Sequence, residues 1–510
     1  MSRVRVIRAG KTEEFPAKSD ESLLDVLRRN GVSVTAPCGG NGTCGKCRVT
    51  VRTEAGDESV LACRTMVQGD CTVLIETAEG GVICADGGEV LLKTDGKSGL
   101  GAAVDLGTTT VAVKLFDLSD GTELGSRSAW NAQAPYGADV ITRCQFCMER
   151  PDGLDTLKTL AQRQLSELIA GICADTGREV CEVKEVFLAG NTVMQHIACG
   201  LSPAGIAVAP FRPETLFDGG EQTNLGGIPL RYAPCVAGYV GGDITAGLLA
   251  SDLHKSKGRA LFLDVGTNGE MALGGADGFL SCAVASGPAF EGAGITCGMA
   301  STAGAVSHVR WNGIEPEFEV IGGGEAKGLC GSGLLDLLAM LLKLGIVDET
   351  GYLLPPEDAP AGFEAWLDED EDGNGCFWLT DEVCFTAADV RQLQLAKAAV
   401  AADISVLMQA ADIGFDEIDQ LVLAGGFGSH MSAQSAVAIG MLPGALLEKI
   451  VCVGNSSLAG ASMALLSEEK RTDLLNIQKH CNYLELSGNG AFNRLFPEHM
   501  TFDKEESPWN

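Results

Sequence analysis

Two stretches decide the fold, AAVDLGTTTVAVKLFDL at residues 102–118 and ALFLDVGTNGEMALG at residues 260–274. Each reads as an apolar strand bearing one aspartate, a tight glycine-threonine turn and a returning strand. The likeness continues outward from both. EVFLAGNTVMQHI (185–197) matches DQLVLAGGFGSHM (419–431), each an apolar strand whose glycine turn opens a helix. PCVAGYVGGDITAGLLA (234–250) pairs with KIVCVGNSSLAGASMALL (449–466). Three elements recurring in one order imply duplication, so residues 101–510 are expected to form two similar α/β halves with a C-terminal tail.

The N-terminal segment follows another pattern. RVRVIR (3–8) alternates as a strand, and residues 13–17 can return as a second. ESLLDVLRRN (21–30) reads as a short amphipathic helix, with Ser19 and Asp20 as N-cap candidates and Gly31 as a C-cap. APCGGNGTCGKCRV (36–49) and LACRT (61–65) then place Cys38, Cys44, Cys47 and Cys63 in a C-x5-C-x2-C-x15-C spacing. Four thiolates satisfy one [2Fe-2S] cluster, and Gly39, Gly40, Gly42 and Gly45 let a loop wrap closely and turn N–H groups toward the sulfides. A four-cysteine zinc site competes, but such sites usually show two C-x2-4-C knuckles, and only Cys44 and Cys47 form one. Gly40 to Lys46 also fits the phosphate-loop pattern G-x4-G-K, yet Cys47 stands where that loop needs Ser or Thr. Strand, helix and cysteine loop together resemble the ferredoxin β-grasp, and the x5 interval is similar to the adrenodoxin branch. The expected organisation is an α+β ferredoxin domain at 1–78, a Gly-rich linker at 79–100, and the duplicated α/β domain from 101.

Bulk properties agree with several domains. The 510-residue chain exceeds one ordinary core, and 45% hydrophobic with 21% charged residues suits folded layers. A formal charge of -31 opposes nucleic acid and anionic membrane surfaces, so a macromolecular partner is expected to be a protein. MSRVRVIRAG has charges where a signal peptide needs its apolar region, and no 18-residue apolar run stands out; a cytoplasmic location is expected. Nineteen scattered cysteines make a poor disulfide framework and read as thiols plus a redox site.

The two hairpin-bearing halves resemble the superfamily of actin, heat-shock chaperone ATPases and sugar kinases, whose halves close on ATP. The resemblance implies that Asp105, Gly107, Thr108 and Thr109 face Asp264, Gly266, Thr267 and Asn268 across the phosphates. Backbone N–H groups and hydroxyls would surround the phosphates while the two aspartates approach Mg2+ or its waters from opposite halves. LAGGFG would form the adenosine side, with Gly425, Gly426 and Gly428 permitting close approach. Asp243 is a candidate to position or deprotonate the attacking water, with capping of its own helix as the competing reading.

The fusion of ferredoxin and ATPase narrows the resemblance. With ADVITR (138–143), SGPAFEGAGI (286–295), GLCGSGLLD (328–336) and YLELSGNGAFNRLF (483–496), it resembles the reductive activators of corrinoid proteins over essentially the whole chain. That implies an ATP-hydrolysing electron-transfer activase returning Co(II) to Co(I), with a [2Fe-2S] cluster, ATP and Mg2+ as cofactors. It also implies a corrinoid protein of a methyltransferase system and a low-potential electron donor as partners, and a homodimer. Longer family members carry a middle domain for which residues 76–101 leave no room. Alternatives are an ATP-dependent electron donor to another metalloenzyme, a small-molecule kinase, and a nucleotide-binding redox sensor.

Other signals are weaker. Ser286, Pro288 and Glu291 lie in a loop that either faces nucleotide or partner or is a structural turn. Cys144 and Cys147 read as core thiols rather than a redox couple. Asp368, Asp370 and Asp372 begin like a calcium loop, but Leu379 occupies the twelfth position, where a glutamate is needed. His196 and His430 are expected in the helices after their glycine turns.

Overall fold

The N-terminal strands β1 (Ser2–Arg8), β2 (Lys11–Ala17), β3 (Arg48–Thr53), β4 (Gly56–Leu61) and β5 (Cys71–Ile75) form one mixed sheet in the order β2-β1-β5-β3-β4. The computed structural model describes residues 2–8, 11–18, 21–30, 32, 34, 47–53, 56–75, 94–266, 268–369, 373–428 and 430–502. Alternation sends Val4 and Val6 into the core, and Arg5 meets Glu14 across the ladder on the outer face. Helix α1 (Leu23–Arg29) lies on this sheet and buries Leu23, Leu24, Val26 and Leu27.

Its caps differ from the expectation. Ser22, not Ser19 or Asp20, accepts from the Asp25 N–H, and Asn30 stands at the C-cap. The reason is tertiary. Leu23 and Leu24 donate their backbone N–H groups to Thr65 O (2.7 Å) and Ala62 O (3.0 Å), so the helix begins where the turn after β4 satisfies its orphan donors. Ser19, Asp20 and Gly31 lie outside the described residues.

The duplication is visible in strand pairing. β6 (Leu100–Leu106), β7 (Thr110–Asp117) and β8 (Glu123–Trp130) form an antiparallel meander, and β9 (Val183–Gly190) joins β6 in parallel. With β10 (Gln222–Leu225) and β11 (Ile228–Tyr232) the order is β10-β11-β9-β6-β7-β8. In the second half β12 (Ala260–Val265), β13 (Gly269–Gly275) and β14 (Gly278–Val284) repeat the meander. Two three-stranded sheets, β15 (Ala305–Trp311), β16 (Pro316–Val320), β17 (Gly328–Leu329) and β18 (Leu367–Glu369), β19 (Gly375–Trp378), β20 (Cys384–Thr386), are inserted here. β21 (Gln420–Ala424) then pairs in parallel with β12, and β22 (Ile450–Cys452) and β23 (Cys481–Tyr483) complete the order β22-β21-β12-β13-β14-β23. Thus β6, β7, β8, β9 and β11 correspond to β12, β13, β14, β21 and β22.

Helices cover both sheets. On the first half, α2 (Val140–Glu149), α3 (Gly153–Thr176), α4 (Thr192–Cys199) and α5 (Ala204–Ala207) enclose one core; α6 (Gly242–Ala250) leads into the seam between the halves. On the second, α7 (Gly331–Leu344) and α8 (Ala387–Ala411) bury another core, followed by the short α9 (Gly425–Gly428) and α10 (Ala433–Ala438). α11 (Ser456–Leu466) pairs with α6 between the sheets, where Ile244, Leu248, Leu458 and Leu465 join Phe187 and Phe262 in a third core. A Cβ at Gly460 would strike the Ala246 backbone, so glycine there is what lets α6 and α11 approach so closely. The tail adds α12 (Glu468–Lys479) and α13 (Gly490–Glu498). Contrary to the expectation of no apolar run, α8 is long and apolar enough to cross a membrane by composition alone, but 78% of that window is buried inside the protein, so it is a core helix.

Candidate cluster and nucleotide sites

Cys47 enters β3 and Cys63 follows β4, and hydrogen bonding of Ala62 N–H to Cys47 O (2.8 Å) fixes the two segments together. Their sulfurs lie 3.2 Å apart with neither in a disulfide, and Cys47 is buried. Two thiols converging this closely suit two ligands of one cluster. Cys38 and Cys44 lie outside the described residues.

The first hairpin, between β6 and β7, is held from four directions. Asn131 Nδ2 donates to Gly107 O (2.7 Å), and Thr109 O accepts from Asn131 N–H (2.8 Å). Arg143 Nη2 donates to Thr108 O (2.6 Å), Asn191 Nδ2 to Thr108 Oγ1 (3.0 Å), and Thr109 Oγ1 to Glu291 Oε2 (2.8 Å). Asn191 has two tasks. Its Oδ1 caps α4 by accepting from Met194 N–H (2.9 Å), which turns its amide toward the hairpin. Asn455 repeats the device, capping α11 through Leu458 N–H (2.8 Å) while Nδ2 donates to Asp105 Oδ2 (2.9 Å). Ser457 Oγ adds a bond to Asp105 Oδ1 (2.8 Å).

The second hairpin is tied by Gly266 N–H to Asn268 O (2.9 Å) and by Ser286 Oγ to Gly266 O (2.9 Å). Ser286 is therefore a structural brace. Gly425 has φ 82°, and a Cβ there would collide with the Asp264 carboxylate; Gly426 faces open space. Gly428 ends α9, and a Cβ there would meet Leu423 in ordinary contact. Thr267 lies outside the described residues.

Four carboxylates share the cleft. Burial raises Asp105, opposed by its bonds to Ser457 and Asn455. Burial and then the charge of Asp105 push Asp264 up to about 7. Burial, Asp264 and Asp105 push Asp243 up to about 8, and burial with Asp243 and Asp264 raises Glu270. Glu270 sits directly opposite Asp264 in the β12–β13 ladder, whereas Asp105 faces Ala112 in the first half. Like charges so placed are destabilising unless a cation or protons neutralise them. No three acidic, His or Cys side chains among the described residues stand close enough to hold a metal unaided. Asp243 is not the N-cap of α6: Gly241 takes that position, and Asp243 lies in the first turn with Oδ1 accepting from Ile244 N–H (2.9 Å).

Asn131, Arg143, Asn191, Asn455, Ser457 and Glu270 escaped the sequence reading, although Arg143 closes the ADVITR stretch. Cys144 and Cys147 lie in α2 with thiols pushed up to about 12 and about 11 by burial, as core thiols should be. His196 is inside α4, but His430 falls beyond α9, its Nδ1–H donating to Gly426 O (2.9 Å).

Comparison with known proteins completes the assignment. Residues 6–68 match the 2Fe-2S iron-sulfur cluster binding domain, 100–256 the RACo middle region, and 259–510 the C-terminal domain of RACo, the ASKHA domain. Corrinoid activation enzyme RamQ of Eubacterium limosum is 31% identical over 407 residues, 77% of this chain and 68% of that protein. The chain belongs to this family of corrinoid-protein activators. Another relative, a [Co(II) methylated amine-specific corrinoid protein] reductase of Methanosarcina barkeri, is 24% identical over 78% of this chain and 76% of its own. A solved structure of a reductive activator for a corrinoid, iron-sulfur protein superposes with a TM-score of 0.73 at 29% identity, covering 98% of each chain. The family's middle region, expected to be missing, matches residues 100–256 and coincides with the first α/β half. It needs no room between residues 76 and 101, because it is itself one wall of the cleft.

Proposed function

We propose that the chain reduces the cobalt of a corrinoid protein from Co(II) to Co(I), with the electron delivered through the ferredoxin domain and ATP hydrolysed between the two halves. The observation that carries this reading is the convergence of Asp105 and Asp264, from equivalent strands of duplicated halves, on one cleft in a chain that also brings Cys47 and Cys63 together. A [2Fe-2S] cluster held by Cys38, Cys44, Cys47 and Cys63 supplies one-electron chemistry when bound.

The residues of the cleft account for the nucleotide's part. Turn N–H groups at Thr108 and Thr109 and the hydroxyl of Thr108 would meet phosphate oxygens, while the Gly107 and Gly266 N–H groups close their own hairpins on Thr110 O (3.0 Å) and Asn268 O (2.9 Å). Among the described residues no three acidic, His or Cys side chains stand close enough to hold a metal, so Asp105 and Asp264 would hold Mg2+ together with the phosphates and its waters. Its charge favours ionised carboxylates, so Asp243 becomes competent to orient or deprotonate water only once Mg-ATP is in place. Hydrolysis then releases ADP and phosphate. ATP assists an uphill reduction only if its bound states differ in affinity for the partner or in the donor's surroundings.

An electron enters from a low-potential donor, and the corrinoid protein belongs to a methyltransferase system. A cytoplasmic setting and a homodimer complete the reading. The test is anaerobic: reduced protein and a Co(II) corrinoid protein are mixed with and without Mg-ATP while the cobalt spectrum is followed. Co(I) formed only with Mg-ATP supports the reading; no ATP-dependent change with any of several corrinoid proteins sinks it.

A further inference from the structure

Helix α1 of the ferredoxin domain touches the first half beside α2, the helix that grips the Thr108 hairpin. Cys63 lies between Ala62 and Thr65, whose carbonyls receive the first N–H groups of α1. From the same helix, the Arg28 guanidinium stands over the Tyr136 ring at 5.5 Å, and Asp25 Oδ1 lies 3.7 Å from Arg150 Nη2. Tyr136 and Arg150 flank α2 at its two ends, and both pack on Phe146 within it: the rings of Tyr136 and Phe146 meet edge-on at 5.0 Å, and Arg150 covers Phe146 at 5.1 Å. The centre of α2 carries Arg143, fully buried, which donates to Gly137 O (2.9 Å), Gln133 Oε1 (3.2 Å) and Thr108 O (2.6 Å).

We propose that α2 is the coupling element between the two cofactor domains, with Arg143 as the positioning residue that reports the state of the Thr108 hairpin to the ferredoxin surface. The proposal rests on the nucleotide reading of that hairpin. The two ends of the connection differ in strength. Arg143 makes buried, charge-assisted bonds in a rigid fork, so a shift of the hairpin moves α2 with it. Docking of α1 uses a cation–π contact between buried Arg28 and half-buried Tyr136 and a solvent-exposed ion pair, a hold weaker than the buried fork of Arg143. A displacement of α2 is therefore relieved at the docking contact, which frees or seats the ferredoxin domain while leaving the hairpin grip intact.

Hydrogen exchange of the cluster-loaded full chain, with and without the Mg2+ complex of a non-hydrolysable ATP analogue, tests this. In the parent, the analogue should change exchange at 107–110 and also in α1 by at least about twofold. Tyr136→Ala should keep analogue affinity within about twofold yet lose the α1 response. Arg143→Lys, which keeps the charge without the fork, should weaken the α1 response more than it weakens binding, and Arg143→Ala should abolish it. Binding that alters 107–110 but leaves α1 unchanged in the parent, or an undiminished α1 response in Tyr136→Ala, overturns the coupling alone. Absence of any analogue binding overturns the nucleotide reading and the coupling with it.

Discussion

Thr109 in the first hairpin donates its hydroxyl to Glu291 of the second half at 2.8 Å, so a hydrogen bond spans the cleft at the place the phosphates would enter. The carboxylate of Glu291 opposes an incoming polyanion while holding the hydroxyl that would serve it. Glu291→Gln keeps an acceptor and removes the charge. Mg-ADP should bind this variant roughly three- to tenfold more tightly, as expected for relief of one like-charge contact. Calorimetric titration checks this; equal or weaker binding contradicts the arrangement.

The bond from Asn455 Nδ2 to Asp105 Oδ2 combines a cap with a charge partner. Asn455→Ala removes both and leaves a buried carboxylate short of a donor, a change of about 1–3 kcal/mol in unfolding free energy. Ser457→Ala removes a donor only and should cost about 1 kcal/mol. Urea denaturation of the nucleotide-free protein measures each, and a smaller loss for Asn455→Ala than for Ser457→Ala would contradict the dual role.

Gly425 and Gly426 separate backbone strain from ligand contact. Gly425→Ala meets both the positive φ and the Asp264 carboxylate, and should lower stability by about 1–3 kcal/mol as well as nucleotide affinity. Gly426→Ala projects into open space, so thermal melting should be unchanged while ATP affinity falls, if adenosine lies against it. Unaltered affinity in Gly426→Ala would move the adenosine site elsewhere.

Asp403 in α8 is buried beside Cys282, and burial pushes its carboxyl up to about 7 from 3.8, with the thiol contact opposing. The native state therefore holds this proton more tightly than the unfolded chain. Its contribution is fully present below about pH 4 and is lost as pH climbs through about 7. Asp403→Asn should match the parent near pH 4 and exceed it by on the order of 4 kcal/mol above pH 7. Denaturation at a series of pH values checks the sign; an advantage that grows toward acid pH would refute it.

Local pattern made much of this legible. Asp105 and Asp264 each end an apolar strand before a glycine turn, and the repeat of strand, turn and helix predicts the matching sheet orders that the structure shows. Glu270 could have been found by the same logic, since it faces Asp264 across a three-residue turn. Arg143, Asn191 and Asn455 could not. Their partners, Thr108 and Asp105, are between 35 and 350 positions away in the chain, and nothing in a helix-capping asparagine says where its amide points. Ser22 displaced Ser19 and Asp20 as the cap for the same reason, because carbonyls after β4 determine where α1 begins. The middle region was missed as a separate domain because it is one of the duplicated halves.

The central claim is that ATP hydrolysis and cobalt reduction are one coupled process. Phosphate release and the cobalt spectrum, recorded together from a single anaerobic mixture of the reduced protein, a Co(II) corrinoid protein and Mg-ATP, test it most directly in the parent and in Asp264→Asn. The account predicts that Asp264→Asn retains a reducible [2Fe-2S] spectrum yet loses phosphate release and Co(I) formation together. Co(I) formed at parental yield by Asp264→Asn, or by the parent without nucleotide, would contradict it.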